Sequence, residues 1–323
     1  MSKLLFTFFI IFTSLFMGYI LRNKSQIGNF KFSEEQLNFL RKKLQIIALF
    51  FCIPISAMIS LWGLPNPDSR LFALPILGLV AFILGGAISI PIAKFIKLNR
   101  AQTGSFYCCG TFTNLGAVGT LVCVIFLGES SIAIAALYRL CEEMFYYGIS
   151  FPIAKWYSQP NTNEKLSFKS FKLDPLLAIV LIALCIGITL NILKIERPHI
   201  AGNLASIFMI LGTIFLLFSI GLGLKISKIM PFINAGIAVS IIKFIFVPTI
   251  VISLAYLLEY NNIDNGLPLK SVAILSCMPV AMNALVPPSL FDLDLDLANA
   301  CWIFSTLGLI IILPILFALI PYL

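Results

Sequence analysis

Charge is what this chain has least of. Asp, Glu, Lys and Arg make up 11% of its 323 residues, where an ordinary soluble domain carries about 25%. Histidine is nearly missing, since His199 is the only one. No HExxH, GxSxG or GxxxxGK[ST] pattern occurs. Zinc hydrolysis, acyl transfer at a serine elbow and direct ATP drive therefore have no machinery here, and the chain is not expected to be an enzyme. The eight cysteines (Cys52, Cys108, Cys109, Cys123, Cys141, Cys185, Cys277 and Cys301) all fall inside apolar runs. None is spaced for a metal set with His199, and adjacent Cys108-Cys109 has the wrong spacing for a CxxC redox pair. They read as small buried hydrophobes, with no metal and no cofactor.

Long polar stretches are equally scarce. Hydrophobic residues make up 60% of the chain, and the mean hydropathy is +1.02. No water-soluble fold buries that much apolar surface, so the chain is expected to be an all-α integral membrane protein in a lipid bilayer. A spanning helix needs about 20 apolar residues. Ten runs qualify: Leu4–Leu21, Leu44–Leu61, Leu71–Ala93, Phe106–Leu127, Ile132–Ala154, Pro175–Leu193, Ile200–Leu224, Ile229–Leu258, Ser271–Leu290 and Leu297–Ile320. Lipid offers the backbone no hydrogen-bond partner, which forces helices on them. The first run follows Lys3 as a signal peptide would. It passes Met17-Gly18-Tyr19 without a small-x-small cleavage site, so it is expected to remain as a span.

The net charge of +8 could point to nucleic acid, but its distribution points to topology. Loops after runs 1, 3, 5, 7 and 9 hold 15 Lys and Arg, and the other loops hold 4. The cationic set belongs in the cytoplasm, which places both termini outside and leaves no nucleic-acid partner. Arg41-Lys42-Lys43 sets topology and touches anionic lipid. The polar connection Lys155–Asp174 divides the chain into residues 1–154, a cytoplasmic linker at 155–174, and residues 175–323. Each half holds five runs, so the second inserts with opposite topology, as in secondary transporters built from inverted repeats.

The fourth run of each half is unusual in the same way. One carries Gly110-Thr111-Phe112-Thr113-Asn114-Leu115-Gly116-Ala117-Val118-Gly119. The other carries Ser276-Cys277-Met278-Pro279-Val280-Ala281-Met282-Asn283-Ala284-Leu285-Val286-Pro287-Pro288. Each sets an asparagine among helix breakers, glycines in one and prolines in the other. A broken helix frees backbone groups that only protein or a water-filled cavity can satisfy, and its half-helix N-terminus attracts anions. The plainer reading is close glycine packing, with asparagine bonding a neighbouring helix. Ionisable residues inside runs cost at least about 2.5 kcal/mol each. Arg139, Glu142 and Glu143 lie at helical spacing in run 5, and Lys243 lies in run 8. They read either as an ion-coupling or substrate-carboxylate site, or as a structural cluster whose charges cancel. Asp292, Asp294 and Asp296 read as N-capping groups for run 10 rather than a metal site, and Glu129 as the same for run 5.

These stretches resemble the auxin efflux carrier family, which includes the plant PIN-FORMED carriers and bacterial homologues. Asn114-Leu-Gly-Ala-Val-Gly119, Leu127-Gly-Glu129 and Ala133–Leu137 look like its fourth and fifth spans. Phe218-Ser-Ile-Gly-Leu-Gly-Leu-Lys225 looks like its seventh, and Ile242-Lys-Phe-Ile-Phe-Val-Pro248 its eighth. Met278-Pro-Val-Ala-Met-Asn-Ala284 looks like its ninth, and Ser305-Thr-Leu with Leu313-Pro314 its tenth. The resemblance implies ten helices in two inverted five-helix repeats, with broken helices 4 and 9 crossing at mid-membrane beside the substrate. It also implies a scaffold domain, a transport domain that moves as an elevator, a homodimer, and organic-anion substrates; the related bile-acid sodium symporters share the architecture. The short linker resembles the bacterial type, which implies a bacterial inner membrane. The family's proline after the helix 4 glycines is replaced here by Gly119-Thr120-Leu121, which leaves that break to glycine alone.

The expected function is a secondary carrier of a small organic anion such as a carboxylate or auxin-like acid, with H⁺ or Na⁺ as a possible coupling ion. The expected substrate site comprises Thr113, Asn114, Gly116, Gly119, Pro279, Met282 and Asn283. Arg139, Glu142, Glu143 and Lys243 are the ion-coupling candidates. A channel or a non-transporting receptor on the same fold is the alternative.

Overall fold

The computed structural model describes residues 2–27, 32–64, 68–159, 175–224 and 230–323. The described residues are helical apart from turns and one isolated β-bridge. Six helices among them are long and apolar enough to cross a membrane: Ser2–Asn23, Glu34–Trp62, Ser69–Phe95, Ala201–Gly223, Met230–Leu257 and Leu295–Tyr322. Together with the composition, they make the chain an integral membrane protein. Shorter apolar helices cover Leu115–Leu127 and Ala178–Ile192. The expected cytoplasmic linker falls mostly on residues 160–174, which lie outside the described residues.

The chain forms two compact units, each drawing on both halves of the sequence. Unit 1 comprises Met1–Pro67, Gly116–Ala136 and Leu173–Lys225. It contains α1 (Ser2–Ile27), α2 (Glu34–Ile47), α3 (Ile53–Trp62), α6 (Thr120–Leu127), most of α7 (Ser130–Tyr138), α10 (Pro175–Ile192) and α11 (Ala201–Gly223). A buried cluster of Ile59, Val124, Ile132, Ala201, Ala205 and Met209 forms its core. The α1–α11 contact runs through glycine: a Cβ on Gly18 would overlap the Phe218 carbonyl oxygen, and one on Gly221 would overlap that of Leu15. Small residues let backbones approach where lipid supplies no hydrophobic drive between helices. At one end of the unit, Arg197 donates to Glu129 at 3.0 Å and to the Ile59 carbonyl at 3.3 Å. Glu129 is therefore an ion-pair partner, and α7 starts one residue later without its side chain as a cap.

Unit 2 comprises Asp68–Leu115, Leu137–Lys172 and Ile226–Leu323. It contains α4 (Leu74–Phe95), α5 (Arg100–Thr111), α8 (Glu142–Phe145), α9 (Phe151–Ser158), α12 (Ile233–Ile241), α13 (Val247–Leu257), α14 (Leu267–Ser276), α15 (Val286–Leu290) and α16 (Leu295–Leu319). Asp294 caps α16, accepting from the Leu297 N–H at 2.9 Å, and also accepts from Gln102 Nε2 at 3.1 Å. Just before α4, Arg70 hydrogen-bonds Asp68 and holds its carboxyl down at about 2. Run 5 is not the single helix its composition predicts. It is interrupted at Arg139–Cys141, between α7 and α8.

Proline explains three wide turns. The π-helical segments Ala48–Cys52, Tyr146–Ser150 and Ile242–Phe246 each end two residues before a proline, at Pro54, Pro152 and Pro248. A proline ring clashes with the carbonyl four residues back. That carbonyl belongs to Phe50, Gly148 or Phe244, the middle residue of each wide turn, so widening moves it off the ring. Pro91 and Pro314 remain in regular helix, so the ring permits the wide turn without compelling it.

Replacing Gly221 with alanine should lower the thermal unfolding temperature of the purified protein, at a cost of about 1–3 kcal/mol for overpacking. Gly202→Ala is the control, because a Cβ there meets nothing nearer than 3.4 Å. Equal stability of the two variants would refute the glycine-mediated crossing.

Candidate functional site

Two of the apolar runs, the fourth and the ninth, lose their helix in unit 2 and pair with each other. α5 ends at Thr111, and Phe112-Thr113-Asn114 runs extended; α14 ends at Ser276, and the chain stays non-helical until Met282. Thr113 and Val280 form an antiparallel bridge. Asn114 N–H donates to the Pro279 carbonyl at 2.9 Å, and Ala281 N–H donates to that of Phe112 at 3.1 Å. Each break thus supplies the partners the other has lost, as buried backbone requires in lipid.

The remaining N–H of each bridge residue is bonded by a hydroxyl from the fifth run of its own half. Thr113 N–H donates to Tyr146 Oη at 2.9 Å. Val280 N–H donates to Ser305 Oγ at 3.1 Å, and that hydroxyl donates onward to the Trp302 carbonyl at 3.1 Å. Phe112 stacks on Tyr146 with ring centroids 3.9 Å apart, which fixes the phenol under the break.

Lys243 supplies the charge. It is 1% exposed, yet its Nζ donates to Thr113 Oγ1 at 2.7 Å and to the Thr111 carbonyl at 3.4 Å. The wide turn before Pro248 carries it. The ammonium thus sits on the carbonyl end of α5, where the helix dipole favours a cation. A second charged pair borders the first: Arg139 Nε donates to Glu142 Oε2 at 2.8 Å, with 6% of the Glu142 side chain exposed. Glu142 is also close enough to the Tyr146 hydroxyl and to Lys243 to act on both electrostatically. Arg139, Glu142, Tyr146, Thr113 and Lys243 therefore form one buried polar network. Arg139 belongs to the interruption rather than to a continuous helix, and Glu143 is half-buried and electrostatically linked to Arg139.

The other predicted site residues separate. Asn114 is 8% exposed at the edge of the bridge, and Pro279 is buried in it. Met282 is half-buried; Asn283 is exposed in the short 3₁₀ turn Met282–Leu285, where its carbonyl accepts from the Val286 N–H and its side chain makes no hydrogen bond among the described residues. Gly116 and Gly119 lie in unit 1, in the π-helical turn Leu115–Gly119. The helix 4 break precedes them, so glycine does not make it. Gly110 serves packing instead, since a Cβ there would overlap Ser89 Oγ of α4. The charge-based reading overlooked Tyr146 and Ser305; the usable signal was a hydroxyl inside an apolar run, which must find a partner. No group of three or more His, Cys, Asp or Glu able to hold a metal occurs among the described residues.

No known family profile matches the chain. It is 21% identical over 300 residues to a protein of Methanothermobacter thermautotrophicus named "Uncharacterized transporter", covering 93% of this chain and 92% of that one.

Thr113→Val and Lys243→Met each remove one end of the buried 2.7 Å contact. Each alone leaves a polar partner stranded, at about 1–3 kcal/mol. In thermal or denaturant unfolding, the double variant should be more stable than the sum of the single losses predicts. Strict additivity would mean that the contact carries no coupling.

Proposed function

We propose that this protein is a secondary transporter of a small organic anion, bound in unit 2 beside the paired breaks. One observation carries the reading: two interrupted spans bonded to each other around a buried lysine. An interruption inside a membrane costs backbone hydrogen bonds and is kept where a polar solute must be met. A buried ammonium and two asparagine amides, Asn114 and Asn283, give that solute a negative sign and an oxygen-rich group to offer. The name of the Methanothermobacter protein and the near full-length match to it support transport in general.

Bridge hydroxyls drawn from the fifth run of each half, Tyr146 and Ser305, support two inverted five-helix repeats and ten spans. Both breaks and the charged network fall within one compact unit, which supports an elevator in which unit 2 is the moving body. Its resemblance to the auxin efflux carriers points the same way. Within this reading, Glu142 is the first choice for a coupling carboxylate, because it is ion-paired with Arg139 and lies close enough to the phenol under the break to act on it electrostatically.

Thermal stabilisation against a panel of carboxylates, amino acids and indole acids, with and without Na⁺ at two pH values, tests the substrate class. A carboxylate-selective shift should disappear in Asn283→Ala. That side chain has no described structural bond to lose, so expression and monodispersity should be unaffected. Shifts with cations or neutral solutes alone would overturn the anion assignment. In proteoliposomes, Glu142→Gln should flatten the pH dependence of uptake, and Glu143→Gln should flatten it less. An unaltered profile in both removes the carboxylates from coupling. Saturation and counterflow separate a carrier from a pore.

A further inference from the structure

Away from that site, two guanidinium groups meet in unit 1. Arg22 of α1 and Arg41 of α2 both reach the C-terminal end of α11. Arg22 Nη1 donates to the Leu222 carbonyl at 3.1 Å. Arg41 lies over Gly223, where a Cβ would stand 2.8 Å from its Cζ and 3.1 Å from its Nε. Glycine at 223 is what gives the guanidinium its place. The two cations are near enough to act on each other electrostatically.

The carbonyl end of a helix attracts cations, and that accounts for Arg22, which bonds one of those carbonyls. It does not account for Arg41. Among the described residues Arg41 makes no hydrogen bond or ion pair, and its Nε is sealed from solvent with no acceptor. Buried N–H groups almost always have one. Arg41 as a whole is only half-buried, so the rest of its guanidinium, held against its own kind and likewise without an acceptor, is positioned for something that comes from outside. Guanidinium forks match tetrahedral oxyanions through paired, charge-assisted hydrogen bonds. This end of the unit belongs to the cationic set of loops, which faces the anionic leaflet.

We propose that Arg22 and Arg41 bind a phosphate group at the end of α11, supplied by an anionic lipid headgroup or by a phosphate-bearing solute. Bound there, the anion neutralises the repulsion between the arginines and joins α1, α2 and α11. The site is independent of the transport reading, and its test needs no transport substrate.

The purified protein in neutral detergent is unfolded thermally with phosphatidylglycerol, phosphatidylcholine or inorganic phosphate added at matched ionic strength. A dose-dependent rise in Tm is expected with phosphatidylglycerol, with phosphate, or with both, exceeding that with phosphatidylcholine. A rise with the lipid alone identifies a headgroup, and a rise with phosphate alone identifies a solute. Arg41→Gln should weaken half-saturation by at least about tenfold, the loss of one charge-assisted bond. Arg41→Lys should fall between, because it keeps the charge and loses the fork. Lys43→Gln, an exposed neighbour, should bind as the parent does. Should Arg41→Gln fail to fold, Arg22→Gln gives the same reading. No rise with either anion, equal stabilisation by phosphatidylcholine, or an equal loss in Lys43→Gln would overturn the proposal.

Discussion

Unit 2 depends on a backbone problem solved twice. Two helices stop inside an apolar body, and each stop frees N–H and C=O groups that lipid cannot satisfy. Pairing Thr113 with Val280 meets part of the need. Hydroxyls from Tyr146 and Ser305 take the remaining bridge N–H groups, and Lys243 covers the open carbonyl end of α5. Tyr146 must therefore stay at its depth, which its stacking on Phe112 enforces. Lys243 must stay at its own, and the wide turn before Pro248 sets where it points. The charged network follows from these constraints, because a buried ammonium needs compensation and Glu142 lies within its reach.

How much of this could be read in the sequence varies by level. Apolar runs gave six long helices outright, because length and hydropathy settle them. The ninth-run break was legible too, since Pro279 cannot continue a helix that has just lost its ladder. The fourth-run break was legible in its place, around Asn114, but not in its cause. Gly110, Gly116 and Gly119 drew attention as helix breakers, yet the chain opens at Phe112-Thr113-Asn114. Glycine lowers helix propensity by only about 1 kcal/mol, and packing outweighs that. What opens the helix is a set of partners elsewhere in the chain, which a local pattern does not contain. For the same reason Arg139, Glu142 and Glu143 looked like one helical face, although the helix stops just before the arginine and resumes at the glutamates.

Lys243 shows the difference most plainly. In the sequence it is one cation in an apolar run, a functional candidate by cost alone. In the fold it first has a structural duty to α5 and Thr113, and on the proposed reading a substrate would share it with that duty. Sharing is chemically reasonable for an ammonium, which has three donors and two described acceptors. The structural and functional readings of this residue are therefore compatible.

That compatibility bears on how an anion could be held and then released. A free buried lysine would bind an anion tightly, and tight binding opposes turnover. A lysine already partly satisfied by Thr113 and the Thr111 carbonyl loses less when the anion leaves, because its protein acceptors remain. Asn283, exposed and uncommitted, can add hydrogen bonds that are lost on release at no cost to the fold. On the proposed reading, division of the work between a committed cation and an uncommitted amide would give the moderate affinity that a carrier needs on both sides of the membrane. It also predicts a hierarchy in which loss of Lys243 damages the fold and the site together, while loss of Asn283 damages the site alone.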